Sequence, residues 1–290
     1  MVTEFTPYGL IRTSNSIMAA LFYPKKRLGQ HFLVDQNIAR RVVDEAGIDT
    51  CEMVLEIGPG KGVLTELLLS RADRVIAVEI DRSLTDLLKQ RFGSAENFIL
   101  LEGDILKINL EDLLPATDSG KMVVVADLPY YITSPVIFKL LSSHQFIDRA
   151  ILMVQREVAH RIVAKPGSKV YGILSLAVRL HADPALLFDI SPECFRPRPK
   201  VYSSLLRLDF FDSLSFPLKD EKGFFMILRA AFGTRRKMLK NALRVLGLDQ
   251  DTLTAISDST GIDLERRAET LTLEEFGRLS NVITGILKDR

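Results

Sequence analysis

Three acidic residues close short apolar runs along this chain: Glu79 in Val78-Glu79-Ile80-Asp81, Asp104 in Glu102-Gly103-Asp104-Ile105, and Asp127 in Ala126-Asp127-Leu128-Pro129-Tyr130. Ahead of them stands Glu56-Ile57-Gly58-Pro59-Gly60, again directly after an apolar run. Glycines at such a turn let a backbone approach a ligand without a Cβ clash, and a helix starting behind them points free N–H groups at it. The ligand is not held by a P-loop, because Gly-x-x-x-x-Gly-Lys-Ser/Thr is absent. A dinucleotide is disfavoured as well: the third glycine, Gly62, comes one residue early for Gly-x-Gly-x-x-Gly, and Pro59 removes an amide donor. Glu79 can accept both hydroxyls of a ribose and Asp104 the exocyclic amine of an adenine, with Ile80 and Ile105 as apolar walls. Each acid alone is an ordinary strand-end residue; together they describe a crevice for an adenosine without phosphates.

The fourth of these strand ends supplies different chemistry. An adenine amino nitrogen is a poor nucleophile because its lone pair is delocalised into the ring. Acceptance of its two N–H bonds by the Asp127 side chain and by the Leu128 or Pro129 carbonyl favours a pyramidal nitrogen and frees that pair. Tyr130 can stack on an extruded base and hold the amine in line with a methyl sulfonium.

These residues need strands to carry them to one edge. Between Met53 and Gln155 the apolar runs Met53–Ile57, Arg74–Ile80, Asn97–Leu101, Met122–Ala126 and Ala150–Val154 alternate with helical patterns such as Val63–Leu69. That alternation predicts an α/β fold with a mostly parallel, Rossmann-like sheet covered on both faces. A helical pattern follows near Tyr171–Leu180, then apolar runs at Leu186–Ile190 and Ser203–Phe210, expected to pair at the sheet edge, separated by the turn Arg196-Pro197-Arg198-Pro199. Turn residues and Pro217 mark a linker at 211–219, and the remainder reads as helices. The expected division is a leader at 1–22, a catalytic domain at 23–213 and a small all-helical domain at 214–290.

The 290 residues, 47% hydrophobic and 26% charged, exclude disordered and fibrous classes, and no apolar run approaches the roughly 20 residues of a membrane span. Two cysteines without a Cys-x-x-Cys pair support neither a disulfide framework nor a metal site, and fit a cytoplasmic protein. A net charge of +1 conceals clustering: Lys25-Lys26-Arg27, then Arg196, Arg198 and Lys200, then Arg229, Arg235, Arg236, Lys237, Lys240 and Arg244, with no acid between Phe224 and Val245. Placed cations of this kind suit a phosphate-bearing partner.

The chain resembles the ribosomal RNA adenine dimethyltransferase family of the small-subunit type. The resemblance is carried in order by residues 27–35 (Arg-Leu-Gly-Gln-His-Phe-Leu-Val-Asp), Leu55–Gly60, Val78–Asp81, Gly103-Asp104, Leu128-Pro129-Tyr130, Met153–Ala159, Phe195-x-Pro-x-Pro-Lys-Val-x-Ser203, and Phe232-x-x-Arg-Arg-Lys-x-Leu-x-Asn241. It implies a class I methyltransferase domain with a seven-stranded sheet, S-adenosylmethionine as cofactor, and dimethylation of two adjacent adenosines in a 3'-terminal hairpin of small-subunit (16S) RNA or its assembly precursor. It also implies that His31 and Leu33 line the methionine side of the cofactor, that Gly58, Gly60, Glu79 and Asp104 hold the nucleoside, and that Asp127 holds the reacting amine. Phe195 would be a second aromatic surface for the flipped base, and Arg235, Arg236 and Lys237 phosphate contacts. The family has Asn where this chain has Asp127. An amide and a carboxylate both accept hydrogen bonds, but the carboxylate adds charge and a desolvation cost. Two other readings remain open: a large-subunit RNA adenine methyltransferase, and a ribosome-assembly or transcription factor on the same fold with methylation secondary. No metal, membrane contact or obligate oligomer is expected.

Overall fold

A computed structural model of the chain describes residues 29–48, 52–114, 120–234 and 237–288. The expected leader, Cys51 and the Arg235-Arg236 pair lie outside them. In chain order the described elements are β1 (Phe32–Leu33), α1 (Gln36–Ala46), β2 (Met53–Ile57), α2 (Val63–Leu69), β3 (Arg74–Glu79), α3 (Arg82–Phe92), β4 (Phe98–Glu102), β5 (Met122–Asp127), α4 (Thr133–Ser142), β6 (Ile147–Gln155), α5 (Arg156–Val163), α6 (Ile173–His181), β7 (Ala182–Ile190), β8 (Phe195–Arg196), β9 (Ser203–Phe210), α7 (Glu221–Phe232), α8 (Leu239–Leu243), α9 (Gln250–Thr260) and α10 (Leu273–Lys288). Among them no helix is long and apolar enough to cross a membrane.

Seven strands form one sheet in the order β4-β3-β2-β5-β6-β9-β7, parallel from β4 to β6 and antiparallel at β9 and β7. The near-continuous apolar runs of β2 and β5 are what a sheet buried on both faces requires. Alternate residues divide between those faces: Met53, Leu55 and Ile57 join a core with Val136, Ile137 and Leu140 of α4 and Ala159 and Ile162 of α5. Val54, Val123 and Val125 face the other way, onto Ala39, Val42 and Val43 of α1 and Leu64 and Leu68 of α2. Chain order runs outward from β2 in both directions, to β3 and β4 on one side and to β5 and β6 on the other. The carboxyl ends of β2 and β5 therefore border the crevice that such a reversal opens.

The expected edge pairing is present, with β9 inserted between β6 and β7. Strand β7 begins at Ala182 rather than Leu186 and includes Pro184. Its position at the sheet edge tolerates the missing N–H. A third apolar core joins Phe224, Ile227 and Leu228 of α7 to Leu253 of α9 and Phe276, Leu279 and Ile283 of α10. Helix α6 serves two cores, giving Leu174, Ala177 and Val178 to the sheet and Leu176 and Leu180 to the helices from α7 onward.

Candidate active site

Residue spacing alone does not reveal how the loop after β2 is held. Gly58, Gly60 and Gly62 take φ values of +70°, +58° and +81°, a region that side chains with a Cβ avoid. At Gly60 a Cβ would stand 3.1 Å from the Phe32 ring, and at Gly62 one would stand 2.5 Å from Phe92. The loop thus closes against β1 on one side and α3 on the other. Its register is set by Gly58 N–H donating to Val78 O (3.0 Å) and Gly62 N–H donating to Pro59 O (2.9 Å).

Glu79, only 5% exposed, is both brace and cavity wall. Its carboxylate accepts from Asp81 N–H at 2.8 Å and from Gly60 N–H at 3.3 Å, and its carbonyl accepts from Gly103 N–H at 2.8 Å. Three strand ends are tied together this way. Two oxygens offer about four acceptor positions, so capacity remains for a ligand's hydroxyls. Burial pushes its pKa up, against the opposing effect of the two amide bonds. Asp104 caps the short turn after β4, with one oxygen accepting from Leu106 N–H at 3.0 Å. Asp81 is bonded by Gln30 Nε2 (3.0 Å) and caps α3 through Ser83 N–H (3.0 Å).

Behind the loop, Glu56 is fully buried at the end of β2. Thr65 Oγ1 donates to one of its oxygens at 2.7 Å; the other has no partner among the described residues. Desolvation lifts its pKa to about 8, with Glu79 adding to the rise.

Asp127 ends β5 beside Met153 of β6, and Leu128 N–H donates to Met153 O at 3.1 Å. Its carboxyl accepts no side-chain or amide bond from the described residues, and desolvation alone raises its pKa to about 7. Tyr130 is fixed at both ends. Its hydroxyl meets Ser203 Oγ at 3.1 Å, and its ring stacks with His31 at 5.8 Å and 29°. His31 in turn is anchored through Nδ1 to Pro197 O at 2.7 Å. One face of Tyr130 is therefore already paired with an imidazole.

The residues singled out in the sequence meet in one cavity of about 280 Å³, near the lower end of small-ligand pockets, about 300 Å³. Its lining includes His31, Leu33, Gly58, Gly60, Glu79, Ile80, Asp104, Ile105, Asp127, Leu128, Pro129, Tyr130 and Phe195. Ile105 is buried, whereas Ile80 stands at the rim, 52% exposed. Phe195, 1% exposed, packs in the core with Leu33 and Ile190 and also lines the cavity. The two-residue pairing of β1 with β8 brings His31, Leu33 and Phe195 across from the sheet. Spacing also missed Gln30, Tyr131 and Ser203; only the antiparallel register of β9 on β6 carries Ser203 to Tyr130. Lys237 lies elsewhere, in a groove of the helical region with Met226, Arg229 and Asn241.

The cavity's charged lining, Glu79, Asp104 and Asp127 against Lys61, suits a cationic ligand rather than a pyrophosphate. Spare carboxylate acceptors, apolar walls and net acidity fit S-adenosylmethionine.

A family model described as ribosomal RNA adenine dimethylase matches residues 22–285. The chain belongs to the ribosomal RNA adenine dimethylase family. Among relatives, the ribosomal RNA small subunit methyltransferase A of Alkaliphilus oremlandii is 41% identical over 273 residues, 93% of this chain and 95% of the relative. The protein of the same name from Clostridium acetobutylicum is 42% identical over 258 residues, 89% and 93% of the two chains. A dimethyladenosine transferase from Plasmodium falciparum superposes with a TM-score of 0.71 at 27% identity, covering 89% of this chain and 98% of its own. The 23S rRNA methyltransferase ErmE shares the fold, with a TM-score of 0.65 at 23% identity, covering 86% and 98%. Asp127, at the position where the sequence resemblance leads one to expect asparagine, lines the cavity.

Proposed function

We propose that this chain transfers methyl groups from S-adenosylmethionine to the N6 amines of two adjacent adenosines in a 3'-terminal hairpin of small-subunit (16S) ribosomal RNA during ribosome biogenesis. The observation that carries this reading is the shared cavity: the nucleoside acceptors Glu79 and Asp104 and the amine-positioning turn Asp127–Tyr130 line the same space. Membership of the family and the small-subunit names of relatives at about 40% identity support the choice of RNA.

When bound, the cofactor supplies an electrophilic methyl group on a sulfonium. Glu79 and Gly58 hold its ribose, Asp104 its adenine amine, Ile80 and Ile105 the ring, and His31 and Leu33 the methionine side. Asp127 and the Leu128 or Pro129 carbonyl accept the N–H bonds of the target amine and turn its lone pair toward the methyl group. Tyr130, held by His31 and Ser203, offers its remaining face to the flipped base, and Phe195 a second aromatic surface. The methylated amine then releases a proton to water, so no side chain need act as base. Residues 214–290 form the proposed helical RNA-binding domain, where Lys237 contacts phosphate; Arg235 and Arg236 are assigned the same role from sequence. The working form is a cytoplasmic monomer.

Labelled S-adenosylmethionine added to unmethylated small subunits tests the reading. Label in two adjacent adenosines is the expected result. Label in large-subunit RNA instead, or tight subunit binding with no transfer, would replace it with one of the two alternatives, the latter in keeping with a carboxylate at Asp127.

A further inference from the structure

Exposed side chains that the chemistry above leaves unused stand near the cavity: Tyr131 lines it, and Val201 and Tyr202 precede Ser203, whose hydroxyl meets Tyr130. Tyr131 is 55% exposed, Tyr202 46% and Val201 44%. Single exposed apolar residues are ordinary; an exposed ring that a second side chain holds in place is a candidate contact surface.

Tyr202 is distinguished by how it is held. The Arg156 guanidinium lies 5.0 Å from its ring centroid, and Arg156 N–H donates to Tyr202 O at 3.0 Å. Asp189 steadies that guanidinium at 3.7 Å and is itself bonded by Ser204 Oγ at 2.6 Å. One side of the ring is thus backed by a fixed cation, while nearly half of the residue stays open to solvent. A cation on an aromatic face is favourable and orders the ring before any ligand arrives. The position follows from register. Gln155 pairs with Ser203, two residues along β6 from the Met153–Asp127 pair, or about 7 Å. Ser203 holds the Tyr130 hydroxyl, so Tyr202 is the immediate neighbour of the residue that anchors the base pocket.

We propose that Tyr202, backed by Arg156, is a stacking surface for the nucleotide that flanks the target adenosine. This rests on the RNA reading above and adds a binding position to it. A strand that flips one base into the cavity exposes the face of its neighbour, and an open aromatic ring accepts any base by stacking. Asp189 engages the guanidinium and would repel a phosphate, so the contribution of Arg156 is to hold the ring rather than to bind the RNA backbone. Holding the flanking nucleotide keeps the strand from leaving after one transfer and brings an adjacent adenosine into reach.

The test compares wild type, Tyr202→Ala and Tyr202→Phe on unmethylated small subunits. Loss of stacking on one base is expected to weaken subunit binding, measured without cofactor, and to raise KM for subunits, each about tenfold. kcat for the first adenosine should stay within about twofold, cofactor affinity should be unchanged, and modification of the second adenosine should fall further than that of the first. Tyr202→Phe keeps the ring and should behave as wild type. Unchanged subunit affinity in Tyr202→Ala, or a Phe variant as impaired as the Ala variant, would overturn the proposal. A merely structural tyrosine would instead lower cofactor affinity or kcat. If the wild type transfers no methyl, the RNA-methylation reading fails, and the cofactor-free affinities still decide the role of Tyr202.

Discussion

Replacing Asp127 with asparagine keeps the size and an acceptor oxygen but removes a titratable charge from a partly buried position on the cavity wall. Burial holds that carboxyl at about 7, against 3.8 for an unburied aspartate. Because the folded form keeps the proton over a range in which the unfolded chain has lost it, stability is full below pH 4, declines as pH rises, and reaches its floor above pH 7. At about 1.4 kcal/mol per pH unit, the charge costs the fold roughly 2 kcal/mol at pH 5 and roughly 4 kcal/mol at pH 8. The asparagine variant escapes this cost. Urea unfolding without cofactor should therefore find it more stable than wild type, by a margin that widens by about 2–3 kcal/mol from pH 5 to pH 8. Glu56, also shifted upward, is present in both proteins and cancels in the difference. Any cost of burying the amide is independent of pH and leaves the slope untouched. Equal margins at the two pH values would refute the argument, by showing that Asp127 ionises as freely in the fold as in water.

The same variant should retain methyl transfer, while Asp127→Ala should lose most of it; a fully active alanine variant would remove Asp127 from the reaction. Glu79→Ala takes away ribose acceptors and the brace on Gly60, and should weaken S-adenosylmethionine binding by calorimetry at least about tenfold; an unchanged Kd would reassign the ribose site. Thr65→Val removes the hydroxyl bond to the buried Glu56 carboxyl at nearly constant shape. It should destabilise the fold by about 1–3 kcal/mol in thermal or urea unfolding, and a change below about 0.5 kcal/mol, the usual surface scatter, would mean that the bond contributes little.

Strands β2 to β6 were legible in the sequence because each is an apolar run bounded by turn residues, and their carboxyl ends could be named because the acids stand there. What the spacing could not convey was anything set by long-range register. The pairing of Phe32–Leu33 with Phe195–Arg196 is two residues long and joins segments some 160 positions apart; no periodicity is visible in two residues. The bond from Tyr130 to Ser203 depends on β9 entering between β6 and β7. Pro184 obscured the first half of β7, since proline reads as a strand breaker unless its edge position is known. The two surroundings of Tyr130, an imidazole on one face and a hydroxyl at its tip, likewise arise only when distant segments meet.

That short strap between β1 and β8 has a kinetic meaning. The cavity wall draws on residues from Gly29 to Phe195, and the Phe32 ring that packs under Gly60 is itself held in place by a partner strand synthesised far later. Contacts of such separation form late in folding, after the intervening loop entropy has been met. A chain still growing can assemble β2 and β3 and display the glycine turn, but it has no lid over that turn until the segment around Phe195 has emerged. Completion of the cavity wall therefore waits on the segment around Phe195.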